Sequence, residues 1–245
     1  MISVCMATYN GAKYIKRQLE SILIQLKKDD EVIIYDDCSQ DETCSIIKKI
    51  ADDRIKLYVN NQNLGVNKTF EKALCRAKGE IIFLSDQDDV WKKNKVEYIR
   101  NYFFHNQDVD LIQHNAIVVD DKFNIINKSF YDWRGHVGPE AWRNFVRDTH
   151  LGCCMALKKK VLQDSMPITS VPYHDRWIGI ISALNGYRCK FIPETLGYYV
   201  RHDGTVTDPM FNRRNINIII KDRVTLALEI IKFYLKKYAK YKLTD

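Results

Sequence analysis

The chain has 245 residues and lacks the features of several large protein classes. No apolar run approaches the roughly 20 residues that cross a bilayer. The N-terminus has no charged region followed by an apolar one, so we expect no secretory signal. The seven cysteines are odd in number and form no C-x-x-C pair. Reduced thiols therefore fit better than disulfides or a zinc site, and we expect a cytoplasmic protein.

Glycine-rich phosphate-binding loops are also missing. The first apolar segment is not followed by G-x-G-x-x-G, and the chain contains no G-x-x-x-x-G-K-[ST]. Any phosphate group is therefore expected to be held through a metal rather than by a glycine-rich helix start. Internal repeats and low-complexity linkers are absent as well, so we predict one domain over residues 1–210.

Positive charge is scarce over most of the chain and concentrated at its end. The net charge is +7, and nine basic against three acidic residues after position 212 leave +6 in that last segment. A nucleic-acid-binding protein would more often spread basic residues over its folded body. We therefore expect no nucleic-acid partner.

The first half alternates between two kinds of apolar pattern. Residues 2–7, 31–35, 55–59 and 81–84 have the length and composition of buried strands, and the segments between them have helical spacing. This alternation predicts an α/β fold, with a mostly parallel central sheet flanked by helices. Ser39 and Glu42 also predict a capping box for the second helix. In the second half, strands are predicted at 111–119, 123–126, 155–157, 189–192 and 196–201, and helices after Pro139 and at 177–184.

Three carboxylates follow the fourth predicted strand, in the segment EIIFLSDQDDVW at 80–91. Asp86, Asp88 and Asp89 repel one another unless a cation lies among them, and a divalent metal with oxygen ligands is one solution. A solvated acidic loop is the other, and the pattern alone leaves both open. Polar residues also follow two other strands, at 8–10 and 36–37. Because ligands bind at the carboxyl ends of parallel strands, this agreement favours a site.

Taken in order, these segments resemble family 2 glycosyltransferases. The segments are VCMATYNG at 4–11, DDCSQDET at 36–43, NLG at 63–65, SDQDDVW at 85–91, GC at 152–153, HDRW at 174–177 and RH at 201–202. The resemblance is dense over residues 2–100. It implies a GT-A-like fold and inverting, metal-dependent transfer from a nucleotide-sugar. The SDQDDVW form is similar to bacterial enzymes that build surface polysaccharides, including many rhamnosyltransferases.

The resemblance also implies roles for nucleotide-binding residues. Asp36 would accept a hydrogen bond from uracil or thymine, and Ala7, Thr8 and Tyr9 would line the same pocket. Asp86 would lie near the ribose. Lys68 is a further candidate that does not come from the resemblance: its charge would neutralise a phosphate, and an exposed lysine on a helix is the ordinary alternative.

Metal and catalytic roles follow in the same way. Asp88 would bind a divalent Mn or Mg ion, while Gln87 stands where a smaller residue is common. His202 would reach the metal or the diphosphate, unless it is a structural histidine. Asp175 matches the catalytic base, with His174 where an acid is more common; the alternative for Asp175 is a helix N-cap.

The implied partners are a UDP- or dTDP-sugar donor and a glycan or polyprenyl-linked glycan acceptor. Residues 1–110 would form the nucleotide-sugar-binding half and 111–210 the acceptor-side half of the catalytic domain. A nucleotide-sugar pyrophosphorylase and a non-catalytic glycan-binding scaffold are the alternatives. The pyrophosphorylase would be expected to have a glycine-rich loop near its N-terminus, which this chain lacks.

The last segment, 211–245, is predicted to contain a basic amphipathic helix. Its apolar positions are Ile219, Val224, Leu228, Ile231 and Leu235. Such a helix can lie on the cytoplasmic face of an anionic membrane. The alternative is that the apolar face packs on the body of the protein or on a second subunit.

Overall fold

The computed structural model describes residues 1–135, 138–169, 173–202 and 216–241. The strands are β1 (Ile2–Thr8), β2 (Glu31–Asp36), β3 (Ile55–Val59), β4 (Ile81–Ser85), β5 (Val90–Trp91), β6 (Leu111–Asp120), β7 (Ile125–Asn127), β8 (Met155–Lys158) and β9 (Cys189–Arg201). The helices are α1 (Ile15–Leu23), α2 (Thr43–Ile50), α3 (Val66–Leu74), α4 (Lys95–His105), α5 (Phe130–Arg134), α6 (Ala141–Val146), α7 (Lys159–Ser165), α8 (His174–Leu184) and α9 (Ile216–Tyr241). A 3-10 turn covers Gly152–Cys154.

The nine strands of the described residues join one sheet in the order β3-β2-β1-β4-β8-β6-β9-β5, with β7 paired to β6. The first four strands of this order are parallel. Strand β8 runs antiparallel between β4 and β6, and β6 and β9 are parallel again. The carboxyl ends of β1, β2 and β4 therefore meet at one edge, as the sequence predicted. The predicted α/β architecture is confirmed.

Helices cover both faces of the sheet, because the central strands carry apolar side chains on each of their two faces. In β2, Val32 and Ile34 pack with α1, α2 and α4, whereas Ile33 and Tyr35 pack with α3, α8 and α9. Side chains of a strand alternate between faces, so a strand covered on both sides is apolar throughout. Each fully buried aliphatic side chain of this kind contributes about 1.5–3 kcal/mol.

Two local predictions were wrong. Ser39 does not cap α2: its hydroxyl donates to Asp36 (2.6 Å), and the N-cap residue Glu42 makes no side-chain cap bond. The carboxylate at the end of β2 thus takes the hydroxyl that a capping box needs. The two strands predicted at 189–192 and 196–201 are one strand, β9, whose register shifts beside Asn115. Pro193, which has no N–H to donate, lies at this shift.

The predicted C-terminal helix is present as α9, and it packs on α8. Leu226 and Phe233 are buried, and the Phe233 ring lies 5.3 Å from Trp177. Among the helices that the structure describes, none is both long enough and apolar enough to cross a bilayer.

Candidate active site

Helix α1 holds the backbone of the acidic loop that joins β4 to β5. Gln18 Nε2 donates to Ser85 Oγ (2.8 Å) and to the carbonyl of Asp86 (3.1 Å), and Arg17 Nη2 donates to the carbonyl of Asp88 (3.3 Å). Gln18 is buried, and its amide hydrogen-bonds to this loop instead of to water. These bonds fix the main chain and leave the carboxylate side chains available for a ligand.

Gln87 joins the acidic loop to the end of β1. Its Nε2 donates to the carbonyl of Tyr9 (3.0 Å), and the Tyr9 N–H donates back to Gln87 Oε1 (2.9 Å). A Cβ at Gly11 would lie 2.2 Å from Gln87 Oε1, so a side chain there would displace the Gln87 amide from these two bonds. Gln87, which stands where a smaller residue is common in the family, therefore fixes the acidic loop against the loop that follows β1.

The carboxylates of this loop are crowded and partly unpaired. Asp88 Oδ2 lies 2.8 Å from His202 Nε2. Asp89 Oδ1 accepts the Val200 N–H (3.0 Å), but its Oδ2 has no partner among the described residues. Burial and the charges of Asp88 and Asp175 raise the pKa of Asp86 to about 8. Burial and the neighbouring carboxylates also raise the pKa of Asp89 well above its usual range. A cation among them would relieve this repulsion.

The donor groups fit a hard divalent cation. Ligand atoms of Asp86, Asp89 and Cys153 lie within 4.8 Å of one another. Burial raises the pKa of the Cys153 thiol well above its usual range, so this residue is a neutral, soft group. The carboxylate oxygens are the ligands that Mg²⁺ and Mn²⁺ prefer. The sequence prediction named Asp88 and His202 as the ligands and counted Asp89 only as one of the three crowded carboxylates; the structure adds Asp89 as a candidate ligand.

A buried lysine lies behind the carboxylates and was missed by sequence reasoning. Lys95 is 1% exposed; its Nζ donates to the carbonyl of Cys153 (2.7 Å) and lies 4.0 Å from the Trp91 ring centroid. Burial lowers the pKa of Lys95, and the charges of Asp89 and Asp86 oppose that shift. Lys95 thus offsets part of the buried negative charge and connects α4 to the turn Gly152–Cys154.

The structure brings Thr8 and Asp36 together at the ends of β1 and β2. Asp36 is fully buried; its Oδ2 accepts from Thr8 Oγ1 (2.8 Å) and Ser39 Oγ (2.6 Å), and its Oδ1 accepts the Ser39 N–H (2.8 Å). Ala7 is partly buried, and Tyr9 is 46% exposed. Asp36 therefore shapes the loop, and its recognition of a base stays a prediction.

Asp37 is a second buried carboxylate that sequence reasoning left without a role. Its Oδ1 accepts from Asn60 Nδ2 (2.9 Å) and the Leu64 N–H (2.8 Å), and its Oδ2 accepts the Gly65 N–H (2.8 Å). These bonds fix the segment that leads into α3. The two aspartates at the end of β2 therefore have different contacts: Asp36 binds Thr8 of β1, and Asp37 binds the segment that leads into α3.

Lys68 lies in the first turn of α3 with its side chain 58% exposed, and it pairs with Glu71 (2.5 Å). With Tyr35 and Arg76 it lines a groove of about 410 Å³ along the outer side of α3. The structure pairs its charge with this helix neighbour rather than with a carboxylate of the acidic loop. Its contact with a phosphate stays a prediction.

Asp175 lies in the first turn of α8, which begins after Tyr173, so it is not the N-cap. Its Oδ2 accepts the Gly152 N–H (2.9 Å), and its Oδ1 accepts the Arg176 N–H (2.8 Å). A Cβ at Gly152 would lie 3.1 Å from His174 Nε2, so the turn approaches α8 closely. Gly152, whose N–H Asp175 accepts, is followed by Cys153, and the Cys153 thiol lies within 4.8 Å of ligand atoms of Asp86 and Asp89. The turn Gly152–Cys154 therefore connects Asp175 with the acidic loop.

His174 does not replace the acid that is common at its position. Its ring is buried and stacks on Phe70 with 3.8 Å between centroids. Burial lowers its pKa, so the imidazole is neutral near pH 7.

Comparison with known proteins identifies the class to which this fold and site belong. Residues 3–165 match the model of Glycosyl transferase family 2, and the chain belongs to that family. It is 41% identical over 227 residues to the Escherichia coli protein WfaP, covering 89% of this chain and 85% of WfaP. WfaP is named as a UDP-Glc:alpha-D-GlcNAc-diphosphoundecaprenol beta-1,3-glucosyltransferase.

Other similar proteins are longer than this chain. An uncharacterised glycosyltransferase of Nostoc sp. is 30% identical over 213 residues, which cover 82% of this chain and 65% of that protein. The structure of residues 1–349 of S. aureus TarS in complex with UDP-GlcNAc matches with a TM-score of 0.68 at 23% identity, covering 83% of this chain and 59% of that one. This likeness confirms the GT-A-like fold. Transfer of rhamnose stays a prediction.

Proposed function

We propose that the chain transfers a hexose from a UDP- or dTDP-sugar to a hydroxyl of a polyprenyl-linked glycan, with inversion at the anomeric carbon. The observation that carries this proposal is that Asp175 binds the turn Gly152–Cys154, whose Cys153 thiol lies within 4.8 Å of ligand atoms of Asp86 and Asp89. Residues from both halves of the chain thus meet at this turn. The donor and acceptor in the name of WfaP support a UDP-sugar and a lipid-linked acceptor.

Asp175 is the proposed general base. An inverting transfer is a single displacement: the acceptor oxygen bonds to the anomeric carbon, the bond to the diphosphate breaks, and the hydroxyl proton passes to a base. The N–H groups of Gly152 and Arg176 hold the two oxygens of Asp175 in place. Each carboxylate oxygen retains a lone pair with which to accept the proton.

Asp86, Asp88 and Asp89 are the residues proposed to hold a divalent cation. A bound Mn²⁺ or Mg²⁺ supplies charge stabilisation to the departing diphosphate. His202 keeps Asp88 oriented through its 2.8 Å contact, and Lys95 limits the repulsion on the buried side. The structure of the mannosyltransferase PcManGT of Pyrobaculum calidifontis in complex with GDP-Man and Mn²⁺ has a similar fold and supports this assignment at that level.

The proposal is tested by incubating the protein with Mn²⁺ and a panel of donors that includes UDP-glucose, UDP-GlcNAc, dTDP-rhamnose and GDP-mannose. We expect release of UDP or dTDP, increased by a polyprenyl-diphosphate-linked GlcNAc acceptor. Formation of nucleoside triphosphate from donor and pyrophosphate would show a pyrophosphorylase instead. Binding of glycan without turnover of any donor would show a scaffold.

A further inference from the structure

Helix α9 has two apolar faces, and the body of the protein covers only one of them. Leu226 and Phe233 are buried against the body, and Tyr234 Oη donates to Asn185 (2.9 Å). On the other side, six residues are each at least 50% exposed. This outer stripe consists of Ile220, Val224, Leu228, Ile231, Leu235 and Tyr238.

The outer stripe is one continuous surface. Its members follow at intervals of four, four, three, four and three residues, which places them within a sector of roughly 80° on a helix of 3.6 residues per turn. The sequence prediction of this face was partly wrong. Ile219 is half-buried on the body side, whereas Ile220 and Tyr238 belong to the exposed face.

Lysines follow one edge of the outer stripe. Lys221, Lys232 and Lys236 are exposed and, by helical spacing, lie beside it. Lys232 also contacts Glu229 (2.9 Å). An apolar stripe with a basic edge is complementary to an anionic lipid surface, where apolar contact and charge attraction add. An antiparallel pairing with a second copy would instead place this basic edge against itself, and like charges oppose such pairing.

Helix α6 extends this exposed apolar surface. Trp142 and Val146 are 66% and 62% exposed, and Arg223 of α9 donates to the carbonyl of Val146 through Nε (3.1 Å). The Arg143 guanidinium lies 5.1 Å from the Trp142 ring. Exposed tryptophan and arginine side chains favour the interfacial region of a bilayer.

The same surface is linked to the catalytic end of α8. Arg176, next to Asp175, donates to the carbonyl of Phe145 in α6 (2.9 Å). We propose that the outer stripe, together with Trp142 and Val146, docks on an anionic phospholipid surface. Docking there would bring Asp175 towards an acceptor anchored in the lipid, and only this consequence rests on the proposed function.

Vesicle binding without donor or acceptor tests the docking alone. The intact chain is expected to sediment with phosphatidylglycerol vesicles, more weakly at high salt, and poorly with phosphatidylcholine vesicles. The triple variant Val224→Gln, Leu228→Gln and Leu235→Gln is expected to bind vesicles at least about tenfold more weakly, because it removes apolar area that the lipid would bury. A control variant, Ile24→Gln with Phe104→Gln, changes two side chains that are each 72% exposed outside this surface and should bind like the intact chain.

A second measurement needs no change in the stripe. The fluorescence of the intact chain should shift to shorter wavelength on phosphatidylglycerol vesicles, and Trp142→Phe should remove most of the shift. Of the other three tryptophans, Trp91 and Trp177 are already buried, and the half-buried Trp133 packs with Phe130 and Arg201. Equal vesicle binding by the triple variant and the intact chain would overturn the proposal. So would light scattering that shows the intact chain as a dimer and the triple variant as a monomer. Transfer to a water-soluble acceptor should be the same in the triple variant, which separates failure of docking from failure of the proposed function.

Discussion

Replacing Asp88 with asparagine is expected to abolish sugar transfer while the protein stays folded. The change removes one negative charge at nearly constant volume from a side chain that lies in the acidic loop and contacts His202. Charge stabilisation by a metal contributes several kcal/mol to such reactions, so a loss of about 10³-fold or more is expected. Initial rates with UDP-glucose and Mn²⁺ measure it, and excess chelator should reduce the intact enzyme to the same level.

The matched control for this variant is Asp53→Asn, which removes an exposed carboxylate in the turn between α2 and β3. Its rate and thermal midpoint should equal those of the unchanged chain. Full activity of Asp88→Asn, or full activity of the intact chain in excess chelator, would contradict a role for metal at this loop.

The Asp175→Asn variant is expected to lose roughly 10²- to 10⁴-fold in turnover, the usual contribution of a general base. Asparagine retains one carbonyl oxygen that can accept the Gly152 N–H, so the contact with the turn can survive. The donor should bind with nearly unchanged affinity, because the proposed partner of Asp175 is the acceptor hydroxyl. Separate measurements of kcat and of the donor's dissociation constant test whether turnover falls while donor affinity is kept.

A second first-turn aspartate provides the control for helix stability. Asp132 lies in the first turn of α5 and is exposed. Loss of a first-turn charge costs about 0.3–1 kcal/mol in either helix, so both variants should show small shifts in thermal midpoint. If Asp175→Asn keeps its turnover and loses only stability, then Asp175 is a structural residue and the proposed base is elsewhere.

The parts of the fold that could be predicted are those whose apolar pattern repeats. The first four strands and the helices between them follow their spacing, since each is buried on a regular face. Helix α4 could have been found in the same way, because Val96, Ile99 and Phe103 recur at helical intervals and are buried. In contrast, α5 and α7 have five and seven residues, which is too short for a period to show.

The part of the site that could be predicted is the set of carboxylates that follow a strand. Residues whose role depends on a contact far away in the sequence could not be predicted. Lys95 looks like any surface lysine in the sequence, and only the fold places its Nζ beside Cys153. Ser39 fitted a capping box, but a neighbouring carboxylate competed for its hydroxyl. The roles of Asp37 and Gln87 likewise depend on loops that are separated from them by 27 and 78 residues.

Calorimetric titration with UDP tests the central claim most directly, since it asks whether this edge of the sheet is a metal-dependent nucleotide site. The intact chain is expected to bind UDP in the presence of Mn²⁺ and to bind it at least about tenfold more weakly in excess chelator, because a cation held by Asp86, Asp88 and Asp89 would supply the positive charge that offsets the diphosphate. The Asp88→Asn variant should bind weakly in both conditions. Equally tight binding of UDP with and without Mn²⁺, in both proteins, would contradict the account.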